Sequence, residues 1–405
     1  MAGPGGNFWI QDKLSTPAVH HQSFKALWET KWKPRSHLVS AVNGMIGVQL
    51  TYWQCDMGVY PFMFGATKDF QPVVDEIIKR DLKKPYDWDE YAQCFFPKAE
   101  ELVAEASSAE KDGDKPKASE LYLRASALYR IARFPAPRSE KQRYAWEMGK
   151  EAARKGLGLH EFPMTEVTIP HTKHAAPGDG TTPTRGASAT NQVPLVIIFT
   201  GLDGYRTELA VWKEGWRQVG CATLIVEIPG TGDNPGLASD PESPDRVWSS
   251  MFDWVAQQAE IDQDRVCAVA LGGGCHYMFD PVWLDNADHL EYPFDLAHTL
   301  CYKFGYGKDF TRFKKEAMEK FSLLNDGTLD KTCAKLLLVN GTEDEIFPID
   351  DYHLCLQHGS PKKARQETYG EPESFMVILQ ELFAVLDIKA HPGKFLSTLP
   401  FQPKY

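Results

Sequence analysis

The stretch AVALGGGCHYMFD, Ala268 to Asp280, decides how this chain is read. An apolar run, RVCAVAL, leads into three consecutive glycines, and the residues beyond suit a helix. A strand that turns sharply into a helix is the device that lifts a catalytic nucleophile above a parallel sheet. At the apex of this turn stands Gly272, which has no side chain to attack with.

Outward from that turn, LVIIFT, ATLIVEIPGTGDNP and AKLLLVNGTEDEIFP repeat the pattern. Each is a short β-branched apolar run ending in a Gly-rich or acidic loop, with helical stretches between. Such alternation predicts a mostly parallel, doubly wound α/β sheet covered on both faces. TEVTIP reads as a further strand, APGDGTTPTRGASATNQ as a polar loop, and KKARQETY as a weaker strand. In open α/β sheets functional groups collect in the loops at the carboxyl ends of the strands. Here those loops are TGLDGYRTE, EIPGTGDNP, LGGGCHY, NGTEDEIFP and GEPES. Their order matches the oxyanion loop, nucleophile elbow, triad acid and triad histidine of an α/β-hydrolase fold.

From about Ser23 to Leu159 the periodicity is instead helical. Two amphipathic stretches flank KDGDKPK, RFPAP ends the second, and SEKQRYAWEMGKEAARKGLGL predicts another helix with Ser139 as N-cap and Gly156 and Gly158 closing it. The expected division is a helical cap over residues 1–165 and an α/β core over 166–405. One helix pair is too few for a solenoid.

The bulk numbers suit a soluble globular chain. There are 405 residues, 43% hydrophobic, 24% charged and 12% aromatic, with a net charge of -11 and no basic block. That balance argues against nucleic acid as a partner, and no run is long enough to span a bilayer. The N-terminus lacks a secretory pattern, so a cytoplasmic location is expected. The eight cysteines form no CxxC pair, and His171 with His174 lacks a third ligand, so no metal or other cofactor is expected. The loop PGTGDNPG lacks the lysine of a phosphate loop.

The segments KALWETKWK, YAQCFFPKAEELV, ASELYLRASALYRIARFP, EVTIPHT, GLDGYRTEL, EIPGTGDNP, LEYPFDLAH, YKFGYG and VNGTEDEIFPIDD resemble, in order, the fungal polyketide chain-shortening hydrolases of pigment pathways. These are relatives of the FrsA-like and dienelactone-hydrolase groups. The resemblance implies an α/β-hydrolase core beneath an N-terminal helical cap, a small polyketide-like substrate, and a Ser-Asp-His triad for C–C cleavage; relatives are often dimers. The run PRSHLVSAVNGMIGVQLTYWQ lengthens the link after KWK and departs from the pattern.

The triad itself departs further. Gly272 takes the serine's place and Thr368 the histidine's, while Asp344 keeps the acid's. Gly272 adopts the strained turn without the roughly 1–3 kcal/mol that a side chain often costs there, but no acyl-enzyme forms on it. The backbone amides of Leu202 and Gly273, aided by the helix expected to start near Gly273, remain as an oxyanion hole. The chemistry then expected is non-hydrolytic enolate chemistry: cyclisation, dehydration or C–C bond formation or cleavage. Asp344 and His276 are the candidate bases, His276 being placed one helical turn past Gly272. Asp203, Tyr205, Cys275, Tyr129 and Arg133 are candidate substrate contacts. Each residue also has a purely structural alternative: a dead turn for Gly272, a loop brace for Asp344, a packed histidine for His276, packing for Cys275, Tyr129 and Arg133, and loop fixation for Asp203 and Tyr205. Alternatives for the whole chain are a polyketide-shortening C–C or ester hydrolase with an altered nucleophile, and a catalytically silent binding protein.

Overall fold

A computed structural model of the chain describes residues 18–32, 35–38, 49–52, 58–170, 175–181, 191–236, 238–240, 242–270, 272, 274–290, 292–341, 344, 346–360, 363–367 and 373–399. After a short ribbon of β1 (Arg35–Leu38) and β2 (Gln49–Tyr52), helices Thr67–Lys79, Trp88–Gln93, Phe96–Lys111, Lys115–Arg133 and Glu140–Gly158 form the N-terminal layer. The ribbon occupies the lengthened link after KWK.

Local chemistry sets these helix ends. The Ser139 side chain accepts from the Gln142 N–H, and Gln142 reciprocates in a capping box. Gly156 lies inside that helix rather than closing it. A Cβ there would come within 2.7 Å of Leu123 Cγ, so the glycine lets the Lys115–Arg133 and Glu140–Gly158 helices approach closely.

The main sheet has the order β3-β4-β6-β5-β7, from β3 (Met164–Pro170), β4 (Ala175–Thr181), β5 (Val193–Phe199), β6 (Ala222–Val226) and β7 (Ile261–Ala270). β5 is parallel to β6 and β7, and β4 is antiparallel to β3 and β6. Strand β4 corrects the expected loop. Its AAPGDGT sequence lacks any apolar alternation, yet its backbone pairs on both sides, and main-chain hydrogen bonds there override propensity.

Along β5, Leu195 and Ile197 join one apolar cluster with Met251 and Val255, whereas Val196 and Ile198 join another with Trp216, Leu379 and Phe383. Both faces are thus covered, as the continuous apolar run requires. β8 (Leu337–Gly341) and β9 (Lys363–Glu367) form a separate parallel pair. The third cluster joins the N-terminal helices to Met278, Trp283, Phe294, Leu300 and Phe313. Residues beyond the elbow therefore complete the helical layer, and its packing crosses the 165/166 boundary.

Candidate active site

At the end of β7, Gly272 has φ +74°, a left-handed angle that glycine takes without steric cost. A Cβ built there would lie 3.0 Å from ring carbons of Phe347. The position that would carry the nucleophile is therefore covered by an aromatic ring. Asp344 holds that ring in place. Its Oδ1 accepts the N–H groups of Ile346 at 2.8 Å and Phe347 at 2.9 Å, and Asn340 Nδ2 donates to the Phe347 carbonyl.

The helix expected from Gly273 onward is not formed over residues 274–276. His276 has φ -152° and ψ -63°, a single turn spans Tyr277–Phe279, and a regular helix begins only at Pro281–Asn286. Two side chains explain this. Asp351 Oδ1 accepts the N–H groups of His276 and Tyr277, both at 2.9 Å, and Asp280 caps the later helix through the Val282 N–H. The carboxylate of Asp351 thus takes amides that a helix start would offer to an anion. His276 accordingly does not sit one helical turn beyond Gly272.

His276 Nδ1 lies 2.7 Å from Ser322 Oγ, and its ring packs edge-on to Tyr277. Burial lowers the imidazole pKa, with Asp351 opposing, so the neutral form is favoured. Cys275 Sγ lies 3.4 Å from Cys355 Sγ and donates to Asp351 Oδ1. The hydrogen bond to Cys355 and burial together push its thiol far up, and burial also raises Asp351. Such a thiol is a poor nucleophile.

The loop expected to supply an oxyanion hole follows β5. Leu202 is half-buried against the helical layer. Asp203 gives its carbonyl to Arg133 Nη1 at 2.8 Å and its Oδ2 to the Tyr292 hydroxyl at 2.7 Å. The Arg133 guanidinium stacks 3.6 Å from the Tyr205 ring centre and pairs with Glu208 at 2.5 Å. Arg130 also faces Glu208, at 3.5 Å. Burial disfavours the Glu208 carboxylate, but Arg133 and Arg130 outweigh it and hold its pKa down. On the neighbouring loop after β6, Glu227 accepts from Arg206 and from the Asp233 N–H, and Asp233 receives Trp146 Nε1 and Lys150 Nζ. Charge pairs therefore fasten both carboxyl-end loops to the helical layer.

Tyr129 is buried within the helical layer, against Phe96, with Gly149 close to its Cβ. The motif residues Gly273, Thr368, His171 and His174 lie outside the described residues. Among the described residues no group of three His, Cys, Asp or Glu side chains is placed to hold a metal.

Glu208, Tyr292, Phe347 and Asp351 lie in GLDGYRTEL, LEYPFDLAH and VNGTEDEIFPIDD, and Tyr60 lies outside these segments, but no residue pattern marked any of the five for a role. Lys303 had one signal: a lysine set between Tyr302 and Phe304 is unusual for a solvated surface.

The parallel β6-β5-β7 core, the left-handed glycine after β7 and the loop carrying Asp344 after β8 fit an α/β-hydrolase fold. Among solved structures the chain resembles 2,6-dihydroxy-pseudo-oxynicotine hydrolase, with TM-score 0.60 and 16% identity over 87% of this chain and 97% of that one. It also resembles AbyA5, with TM-score 0.56 and 17% identity over 82% of this chain and 97% of that one. At such identities the likeness speaks for the fold alone. No protein-family profile and no curated protein sequence matches.

Proposed function

We propose that this chain is an enzyme of the α/β-hydrolase fold that acts without a serine nucleophile on a polyketide-like β-carbonyl compound, by enolate chemistry rather than acyl transfer. One observation carries the reading: the elbow keeps its left-handed apex while Gly272 supplies no oxygen. A chain that has kept the turn and lost the attacking group retains main-chain amides as its means of stabilising negative charge. The Leu202 and Gly273 amides are the proposed oxyanion donors, and Asp344 and His276 the proposed proton acceptors. Burial suits His276 to this role by keeping it neutral. The same reading carries the expectation of a fungal secondary-metabolite pathway and a homodimer.

A second reading, ligand binding without turnover, is favoured by Phe347 lying over the apex. The two separate on incubation with a β-diketone and a polyketide aldehyde. Turnover that falls in Asp344→Asn or His276→Asn supports the enzyme and names its base. Saturable binding with no turnover supports the second reading.

A further inference from the structure

Between the oxyanion loop and the Tyr302–Tyr306 segment lies a cluster of buried charges that neither reading uses. Lys303 is only 3% exposed, and its Nζ has no hydrogen-bond partner among the described residues. The Lys303 carbonyl abuts Gly230, in the loop after β6, and its Nζ lies 5.7 Å from the Tyr205 ring centre and feels Asp203, both in the loop after β5. Both loops follow the carboxyl ends of strands, where open α/β sheets bind ligands. The Tyr60 hydroxyl is likewise buried; it lies close to Asp203 without a hydrogen bond of ordinary geometry. Its ring edge comes within 3.4 Å of a Cβ built on Gly204. A buried donor without an acceptor is costly, so two of them in the neighbourhood of Asp203 call for an acceptor.

The charges sharpen this. Arg130 and Arg133 both face Glu208, and Arg133 also feels the Asp203 carboxylate, so two cations meet two anions. Lys303 is the surplus cation. The groups acting on it are Asp203 of the oxyanion loop, Glu208 of the Arg206–Leu209 turn, Arg133 of the Lys115–Arg133 helix and Arg138 beyond it, with the Tyr205 ring 5.7 Å away. Arg138 is already paired with Asp295. A fifth unit charge in a dry cluster is expensive unless an anion enters with it.

We infer that Lys303 Nζ and Tyr60 Oη form a buried site for one anionic oxygen of an acyl compound, an enolate or a carboxylate, brought beside the oxyanion loop. Burial brings the Lys303 pKa down to about 7, so without a ligand the amine is largely neutral above that pH. An enol that enters gives its proton to Nζ. The O–H bond breaks, an N–H bond forms, and the cluster gains no net charge. A carboxylate enters with one proton taken from solvent instead.

The inference rests on the enolate reading but is tested separately from it. Acetylacetone and butanoate are the probes, followed at pH 8 by ultraviolet difference spectra and by calorimetry in two buffers of unlike ionisation enthalpy. The native chain should bind acetylacetone as its enolate, or butanoate with uptake of about one proton. Tyr60→Phe removes one unpartnered hydroxyl and keeps the ring. It should fold at least as stably and bind at least about tenfold more weakly, as should Lys303→Met. Equal binding by Tyr60→Phe, no binding of either probe to the native chain, or a covalent adduct on Lys303 overturns the proposal. Binding without turnover removes the enolate reading and leaves this site standing. Turnover untouched by both variants does the reverse.

Discussion

The Phe347 ring stands 3.0 Å from the point where a side chain on Gly272 would begin. That contact and the φ of +74° act in the same direction. Each disfavours a side chain at the apex, one by packing and one by backbone angle. Restoring the serine therefore should not restore a hydrolase. Gly272→Ser is expected to lose about 1–3 kcal/mol of stability from backbone strain, with a further loss from displacement of Phe347. It should show no p-nitrophenyl ester hydrolysis. Chemical denaturation and an esterase assay check this, and the double variant Gly272→Ser with Phe347→Ala should recover part of the lost stability.

Asp344 has a structural duty separable from any catalytic one. Its Oδ1 takes two backbone N–H groups as a cap would. Asp344→Ala should cost about 1 kcal/mol, whereas Asp344→Asn keeps an acceptor and should cost less. If both cost nothing, the loop is held by other means.

How much of this arrangement was legible beforehand follows from what each signal measures. The strands β5 and β6 were legible because burial on both faces demands runs such as VPLVIIF, and the half-exposed β7 and partly buried β8 were legible from similar short apolar runs ending in Gly-rich or acidic loops. Gly272 was legible because a glycine at a strand-to-helix turn has a definite conformational meaning. β4 was not, since a strand held through its main chain on both edges leaves no trace in its side chains. Nor was the broken helix after Gly274, whose cause, Asp351, lies 75 residues further along the chain than His276. The buried cluster around Glu208 was hidden for the same reason: Arg133 meets it across a sequence separation of 75 residues.

Glu208 is the shared counter-charge of two buried arginines, at 0% exposure. Glu208→Gln leaves both without it and should destabilise the chain by about 3–5 kcal/mol. A loss below about 1 kcal/mol in urea unfolding would show that the arginines find other partners.

The thiols should differ sharply in reactivity. Cys333 is exposed, whereas Cys275 is buried with a raised pKa. Iodoacetamide at neutral pH should modify Cys333 well before Cys275 in the native chain. Peptide mapping that finds Cys275 alkylated first would mean that the elbow opens readily.

Lys303 makes stability depend on pH in a defined direction. Its folded pKa is about 7, below the ordinary lysine value of about 10.4. Above about pH 11 the amine is neutral in both states, and its contribution is complete. As pH falls towards 7 the unfolded chain binds the proton first, so the folded state loses ground by at most about 1.4 kcal/mol per pH unit; below 7 the loss levels off. The stability of the native chain relative to Lys303→Met should therefore rise from pH 7 to 10. A flat difference would place a charged, well-partnered ammonium at this position.

The most direct test of catalysis without a covalent intermediate is intact-mass spectrometry of the native chain after exposure to a fluorophosphonate probe, run beside a β-diketone turnover assay. The account predicts an unmodified mass and turnover that the probe leaves unchanged. A stoichiometric phosphonyl adduct on any serine, with turnover lost in step, would contradict it.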